Sequence, residues 1–229
     1  ITASAFGFNA GVFYGTVSIE GNVVVEDTIF ADNEALIAYG ALRVMDGDLT
    51  VRRSTFARNR ANGADGGAIG TFSADPRTLL VEDSTFTDNF AETRGGALMA
   101  SGPNSARFSG STFGGNRSSS GGALHVDFGG GYPMGNRIIP DLTITDSQFT
   151  GNDATHGTWE LNFVGEGSAV SVYRGPSDQE GSVVVTNTTF EDNVADADGG
   201  AFASSTYVTE GLSALPIVGT NLSFLRNVG

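Results

Sequence analysis

The chain alternates apolar and polar positions over short stretches. The runs "VVVEDTIF" (Val23–Phe30), "LTVRRSTF" (Leu49–Phe56), "LLVEDSTF" (Leu79–Phe86), "LTITDSQF" (Leu142–Phe149) and "VVVTNTTF" (Val183–Phe190) are rich in β-branched residues and repeat with period two. A second set, "ALRV", "AIGTF", "ALMA", "ALHV", "AVSV" and "AFAS", follows glycine-rich turns. Both sets predict short strands with one buried face. No window shows a 3.6-residue apolar period, so no helix is expected.

The strands sit inside a repeat. F-x-x-N occurs eight times, at Phe6/Asn9, Phe30/Asn33, Phe56/Asn59, Phe86/Asn89, Phe113/Asn116, Phe149/Asn152, Phe190/Asn193 and Phe224/Asn227, with spacings of 24, 26, 30, 27, 36, 41 and 34. A small residue stands two after most of these asparagines, at Ala35, Ala61, Ala91, Ser118, Ala154 and Ala195. Gly-Gly-Ala follows at Gly66–Ala68, Gly95–Ala97, Gly121–Ala123 and Gly199–Ala201, with degenerate copies at Tyr14–Thr16, Tyr39–Ala41 and Gly167–Ala169.

A unit of about 25 residues cannot bury its apolar side alone, so units must stack. The expectation is a single all-β domain over residues 1–229, a right-handed parallel β-helix of about seven coils. At ~4.8 Å per coil that is roughly 34 Å of solenoid. The repeat is regular in the first half and interrupted in the second, at 127–141, 155–166, 173–181 and 205–216. Neither terminus offers a polar cap, so a segment of a longer solenoid, or one stacking end to end on its neighbours, is expected.

In a stacked solenoid equivalent positions form columns. Phenylalanine is expected to fill the lumen as an aromatic stack. Asparagine is expected at a corner, in left-handed geometry and bonded to neighbouring coils. The glycine pair is expected to supply positive φ and close approach between coils. Charges alternate in three further columns: Glu26, Arg52, Glu82; Asp27, Arg53, Asp83; and Asp32, Arg58, Asp88. Opposite charges one strand apart are mildly favourable and like charges unfavourable. Each arginine is therefore expected between two carboxylates, as a register device.

Composition narrows the chemistry. Twelve positive charges, all arginine, meet 26 negative ones, for a net charge of −14. That balance argues against nucleic acid and anionic membranes as partners. No run of apolar residues reaches the ~20 needed to cross a bilayer. Cysteine and lysine are absent, which removes disulfides, thiolate metal sites and Schiff-base chemistry. The two histidines, His125 and His156, do not make a histidine-rich metal site.

Candidate chemistry is sparse. Glu26, Asp27, Glu82 and Asp83 form the densest carboxylate set, but arginine interleaves them; Asp146 stands apart as a turn residue. "DGD" (Asp46–Asp48) and "DADGG" (Asp196–Gly200) carry the carboxylates that Ca²⁺ takes, yet asparate and glycine also make turns there. No cofactor is expected. N-x-S/T occurs at Asn116, Asn187 and Asn221. Asn116 belongs to the asparagine column and is expected to be inaccessible, which leaves Asn187 and Asn221 as possible glycosylation positions in a secretory source. The interrupting segments carry Tyr132, His156, Trp159, Tyr173 and Tyr207, possible contact residues for a glycan or protein, because excursions from a rigid solenoid are where recognition concentrates.

F-x-x-N followed by G-G-A-[ILV], as in "STFTDNFAETRGGALMA" (Ser84–Ala100), resembles the paired motifs of the polymorphic outer-membrane protein repeat family of chlamydial surface autotransporters. The resemblance implies a parallel β-helix on an extracellular or cell surface, and for chlamydial members adhesion to host cells. The expected function is a non-enzymatic extracellular scaffold that mediates adhesion or assembly through inserted loops. The alternative is a polysaccharide lyase or glycoside hydrolase, enzymes that parallel β-helices also carry. An ice- or mineral-facing solenoid is a third reading, weakened because no regular Thr-x-Thr array is visible.

Overall fold

The structure, a computed structural model, describes residues 1–128, 141–155, 167, 169–174, 181–196, 199–206 and 216–229. These residues form strands and turns, without a helix, and the strands of successive coils pair in parallel. The architecture is a parallel β-helix.

Each coil visits three main faces. The first holds the strands after the glycine turn, where Val17, Leu42, Ile69, Leu98, Leu124, Val170 and Phe202 stand in register. The second holds the strands ahead of each repeat phenylalanine, aligning Val23, Leu49, Leu79, Ala106, Leu142, Val183 and Ile217. Two strands, Ile69–Glu82 and Leu98–Ser109, run through the corner and serve both faces. The third face is an eight-stranded sheet of three-residue strands, each centred on a repeat phenylalanine and arranged in coil order. Two-residue strands such as Glu34–Ala35, Arg60–Ala61 and Phe90–Ala91 carry the chain back towards the next glycine turn.

The lumen follows the alternation. Phe30, Phe56, Phe86, Phe113, Phe149 and Phe190 are fully buried. From Phe6 to Phe224 successive ring centroids lie 4.7 to 5.1 Å apart, with ring planes within 10°. Isolated aromatic pairs prefer offset or edge-to-face geometry. Here the ~4.8 Å strand repeat imposes face-to-face stacking.

The asparagine column is a closed hydrogen-bond chain. Asn59 Nδ2 donates to Asn89 Oδ1 at 3.0 Å in the next coil and to the Phe30 carbonyl at 3.0 Å in the preceding one. Its Oδ1 accepts from the backbone N and Nδ2 of Asn33. Both amide protons and both acceptor lone pairs are thus used. The pattern repeats at Asn33, Asn89, Asn116, Asn152 and Asn193.

These asparagines do not adopt positive φ, contrary to the expectation. Left-handed geometry falls instead on the charge-bearing columns flanking the phenylalanine strand. Three residues before phenylalanine it occurs at Asp27, Arg53, Asp83, Gly110, Asp146, Asn187 and Asn221; two after, at Asp32, Arg58, Asp88, Gly115, Gly151, Asp192 and Arg226. Two such corners per coil explain why these columns hold aspartate, asparagine and glycine, which tolerate the conformation. The asparagine amide, with four bonds to make, is satisfied in a regular conformation instead.

A further ladder lies two residues before phenylalanine. The hydroxyls of Thr28, Ser54, Ser84, Ser111 and Ser147 donate to the carbonyl two residues back. Those of Ser54, Ser84, Ser111 and Ser147 also accept the backbone N–H of the equivalent residue one coil earlier. The glycine pair divides its roles: Gly95 has φ +62, whereas a Cβ on Gly96 would lie 2.1 Å from the Gly122 carbonyl oxygen.

The charge columns pair, but on one side only. Arg53 binds Asp27 in two contacts of 2.9 Å and Glu26 at 2.8 Å, and Arg58 binds Asp32 in two of 2.7 Å. Arg52 turns the other way, to Glu82 at 2.6 Å. Asp83 and Asp88 form no ion pair among the described residues, so the sandwich expected around Arg53 and Arg58 is half made. A side chain has one guanidinium fork, and a bidentate pair occupies it.

Two predictions follow from these columns. Asn89→Ala strands the Asn59 donors and the Phe56 carbonyl and is expected to destabilise by roughly 2–4 kcal/mol in denaturant titration. Asn89→Asp, which keeps the acceptors but buries a charge, should be worse; a wild-type midpoint for it would show that the amide donors contribute nothing. Arg53→Glu faces Glu26 and Asp27 with a third carboxylate, so its melting temperature should fall at low salt and partly recover at high salt. Arg53→Asn, which suits the corner, should fall less, and an unchanged melting temperature for Arg53→Glu at low salt would remove the register role.

Candidate functional site

The outward side of the first face differs from the other surfaces. Its second strand position reads Ser18, Arg43, Gly70, Met99, His125, Ser171 and Ala203 from coil to coil. Met99, His125 and Ser171 are buried although they point away from the lumen. Beside them, immediately before Gly-Gly-Ala, stand Asp65 and Arg94. Arg94 Nε lies 3.0 Å from Asp65 Oδ1 and Nη2 lies 2.6 Å from Oδ2, and the Thr93 hydroxyl donates to the same carboxylate. The side chains are 24% and 14% exposed, which makes this the most enclosed ion pair among the described residues.

His125 is the buried titratable group of the face. Its Nδ1 lies 3.4 Å from Ser120 Oγ, which in turn lies 3.2 Å from Ser171 Oγ. Burial, reinforced by the Arg94 charge and opposed by Asp65, pushes the imidazole down to about 3, so it is neutral at pH 7. Towards the first coil the face becomes aromatic. Tyr14 and Tyr39 stack with centroids 6.4 Å apart, and the Arg43 guanidinium lies 4.0 Å over the Tyr14 ring. Burial first, then the Asp65 charge, raises the Tyr39 hydroxyl above its ordinary range.

The interruptions of the repeat meet this face at its edges. The described chain leaves the first-face strands at Asp127, Arg174 and Thr206, and resumes on the second face at Asp141, Ser182 and Ile217. The described chain also stops at Thr155 and resumes at Gly167, the turn that leads into the first-face strand Val170–Arg174. All four therefore border the first face. Tyr173 stands on its rim, paired with Asp127 of the coil before. Tyr132, His156, Trp159 and Tyr207 lie outside the described residues.

The other sequence candidates are dispersed. Asn187 and Asn221 are exposed at left-handed corners, joined to Asp146 in a row by bonds of 3.0 and 2.8 Å. Asn116 is fully buried in its ladder. Asp48 accepts the Thr78 N–H and Asp46 the Ser73 hydroxyl, so both act in turns. Among the described residues no three His, Asp or Glu side chains converge as a metal site would require. Glu26, Asp27 and Glu82 are bound to arginine.

Tyr39 is visible in the sequence only as a degenerate glycine-turn position, and Asp65 and Arg94 are not among the sequence candidates, although a signal for that pair exists. "ADGGA" and "TRGGA" place opposite charges at the same offset from the glycine turn, the criterion that exposed the other charge columns.

The His125 assignment sets a pH dependence. A histidine whose folded value lies below its ordinary ~6.5 stabilises the fold fully above that value, and the contribution falls away as pH drops towards the folded value. Stability should decline between pH 6 and pH 4.5 by up to about 1.4 kcal/mol per pH unit. His125→Gln should flatten that slope. The lowered Asp27, Asp32 and Asp192 carboxyls, held down by hydrogen bonds from Arg53, Arg58 and Arg226, lose their contribution only below the ordinary carboxylate range. Equal slopes in wild type and variant would remove His125 from the account.

No match was found among curated proteins or solved structures. Two segments, residues 83–101 and 187–205, match the family model of the Chlamydia polymorphic membrane protein (Chlamydia_PMP) repeat. Each begins at the left-handed corner ahead of a repeat phenylalanine and ends beyond the glycine turn. The chain thus carries the Chlamydia polymorphic membrane protein repeat at two positions of a parallel β-helix.

Proposed function

We propose that the chain is a non-enzymatic, extracellular β-helix scaffold of a cell surface, which mediates adhesion or assembly through the segments that interrupt its repeat. The observation that carries this reading is the division between repeat and interruption. Within the repeat, the asparagine and serine columns spend their side-chain hydrogen bonds on neighbouring coils, and arginine columns are paired internally. All four interruptions border one face. The match to a membrane-protein repeat supports a surface location. Partners are a protein or glycan at that surface, or neighbouring β-helical units.

The polysaccharide-active alternative needs convergent carboxylates on one face. Among the described residues no three such side chains converge, and Glu26, Asp27, Asp32 and Glu82 are bound by arginine.

Replacing residues 131–139, 157–165, 176–179 and 208–214 each by Gly-Gly tests the reading. The variant should keep the β-sheet circular dichroism and melting of the parent, since no described ladder is touched. It should lose adhesion of protein-coated beads to cells and glycan panels. Undiminished adhesion, or release of unsaturated or reducing ends from polysaccharides by the parent chain, would overturn it.

A further inference from the structure

Two departures from the repeat fall on neighbouring positions of the first face. In five coils the residue that opens the glycine turn is glycine with positive φ: Gly66, Gly95, Gly121, Gly167 and Gly199. In the second coil it is Tyr39, at φ 59. A bulky aromatic in this region is an outlier, and such outliers cluster where a side chain is needed at a particular place. The other departure is Gly70, which stands where adjacent coils carry Arg43 and Met99. A Cβ on Gly70 would lie 1.7 Å from Tyr39 Cδ1. The Tyr39 ring therefore rests against bare backbone, and each departure accommodates the other.

The surroundings give the ring a chemistry. Arg43 lies over Tyr14 and donates through Nη1 to Ser18 Oγ at 3.1 Å. Unlike Arg53, Arg58 and Arg94, Arg43 has no carboxylate partner among the described residues. A guanidinium held over an aromatic ring keeps N–H donors to spare beyond the one given to Ser18, and a fork of such donors matches a carboxylate. The Tyr39 hydroxyl stays protonated and makes no hydrogen bond among the described residues. Tyrosines combine an apolar ring with a polar tip, which suits a ligand with both C–H faces and hydroxyls. The net charge of −14 works against a long polyanion, whereas one unpaired guanidinium accommodates one carboxylate.

We propose that Tyr14, Ser18, Tyr39 and Arg43 form a binding site for a carboxylate-bearing saccharide unit. The carboxylate sits on the Arg43 edge, hydroxyls meet Tyr39 and Ser18, and the sugar C–H face packs against tyrosine. The site lies in the first two coils, remote in sequence from every interruption, so it fails or stands independently of the contact role given to those segments.

Titration calorimetry of the full chain tests it with trigalacturonate and 3′-sialyllactose, their methyl esters, neutral oligosaccharides of matching length, and an oligoglutamate peptide. A carboxylated saccharide should bind, with ester and neutral forms at least about tenfold weaker. Arg43→Gln should lower affinity about tenfold or more. Tyr39→Gly restores the glycine that the five later coils carry, so it should melt no lower than wild type while losing affinity to a similar degree. No binding by either carboxylated saccharide, equal binding of the neutral forms or of oligoglutamate, or undiminished affinity in either variant would overturn the proposal. So would a Tyr39→Gly variant that melts lower and binds normally, because the ring would then be a packing element.

Discussion

Parallel backbone pairing sets successive coils ~4.8 Å apart, and the side-chain columns must live at that spacing. Flat groups suit it. Phenylalanine rings stack at 4.7 to 5.1 Å, and asparagine amides reach one another at 2.8 to 3.0 Å. Stacked identical charges do not suit it, because each would face its own sign one strand away. The outward corners accordingly alternate aspartate with arginine, or use asparagine and glycine. Left-handed geometry at the same corners narrows the choice further. Arg53, Arg58 and Arg226 accept that conformation in exchange for a fork of bonds to an aspartate one coil earlier.

The same spacing explains what was legible in the sequence. Phenylalanine, asparagine and the glycine pair recur as identities, so their columns are visible by alignment and give the fold. The serine and threonine column is equally periodic, yet a hydroxyl two residues before phenylalanine also suits a strand exposed to water. Only the bonds from Ser54 to the Arg52 carbonyl and from the Thr28 N–H to Ser54 show that it is a ladder. Which corner is left-handed is not visible in the sequence, because asparagine suits that role in general and the amide here has four bonds to make elsewhere. The direction of each arginine was not legible either. A column gives neighbours on both sides, and rotamers choose one.

The contact face shows the limit of the periodic reading. Its information lies in exceptions: tyrosine for glycine at 39, glycine for a side chain at 70, and aspartate against arginine at 65 and 94. The charge pair can be found by its shared offset from the glycine turn, but Tyr39 and Gly70 stand at different offsets and no column relates them. Tyr39 and Gly70 become related only when the ring is seen against the backbone where a Cβ would lie. His125 is similar. Alternation places it outward, and its burial shifts its titration away from the value an outward histidine would have.

The asparagine ladder also explains how interruptions are tolerated. It joins residues 24, 26, 30, 27, 36, 41 and 34 apart in sequence, and its amide bonds stay between 2.8 and 3.0 Å throughout. Coil geometry is therefore independent of how much chain leaves the corner between one rung and the next. Closing a longer loop adds little, about 0.6 kcal/mol for each doubling of length, while each rung retains its buried ring and saturated amide. A scaffold built this way permits sequence change where the repeat is broken and penalises it within the columns. That asymmetry favours placing recognition at the borders of the first face, where the four interruptions and the exceptional side chains of coils one to six meet a rigid sheet.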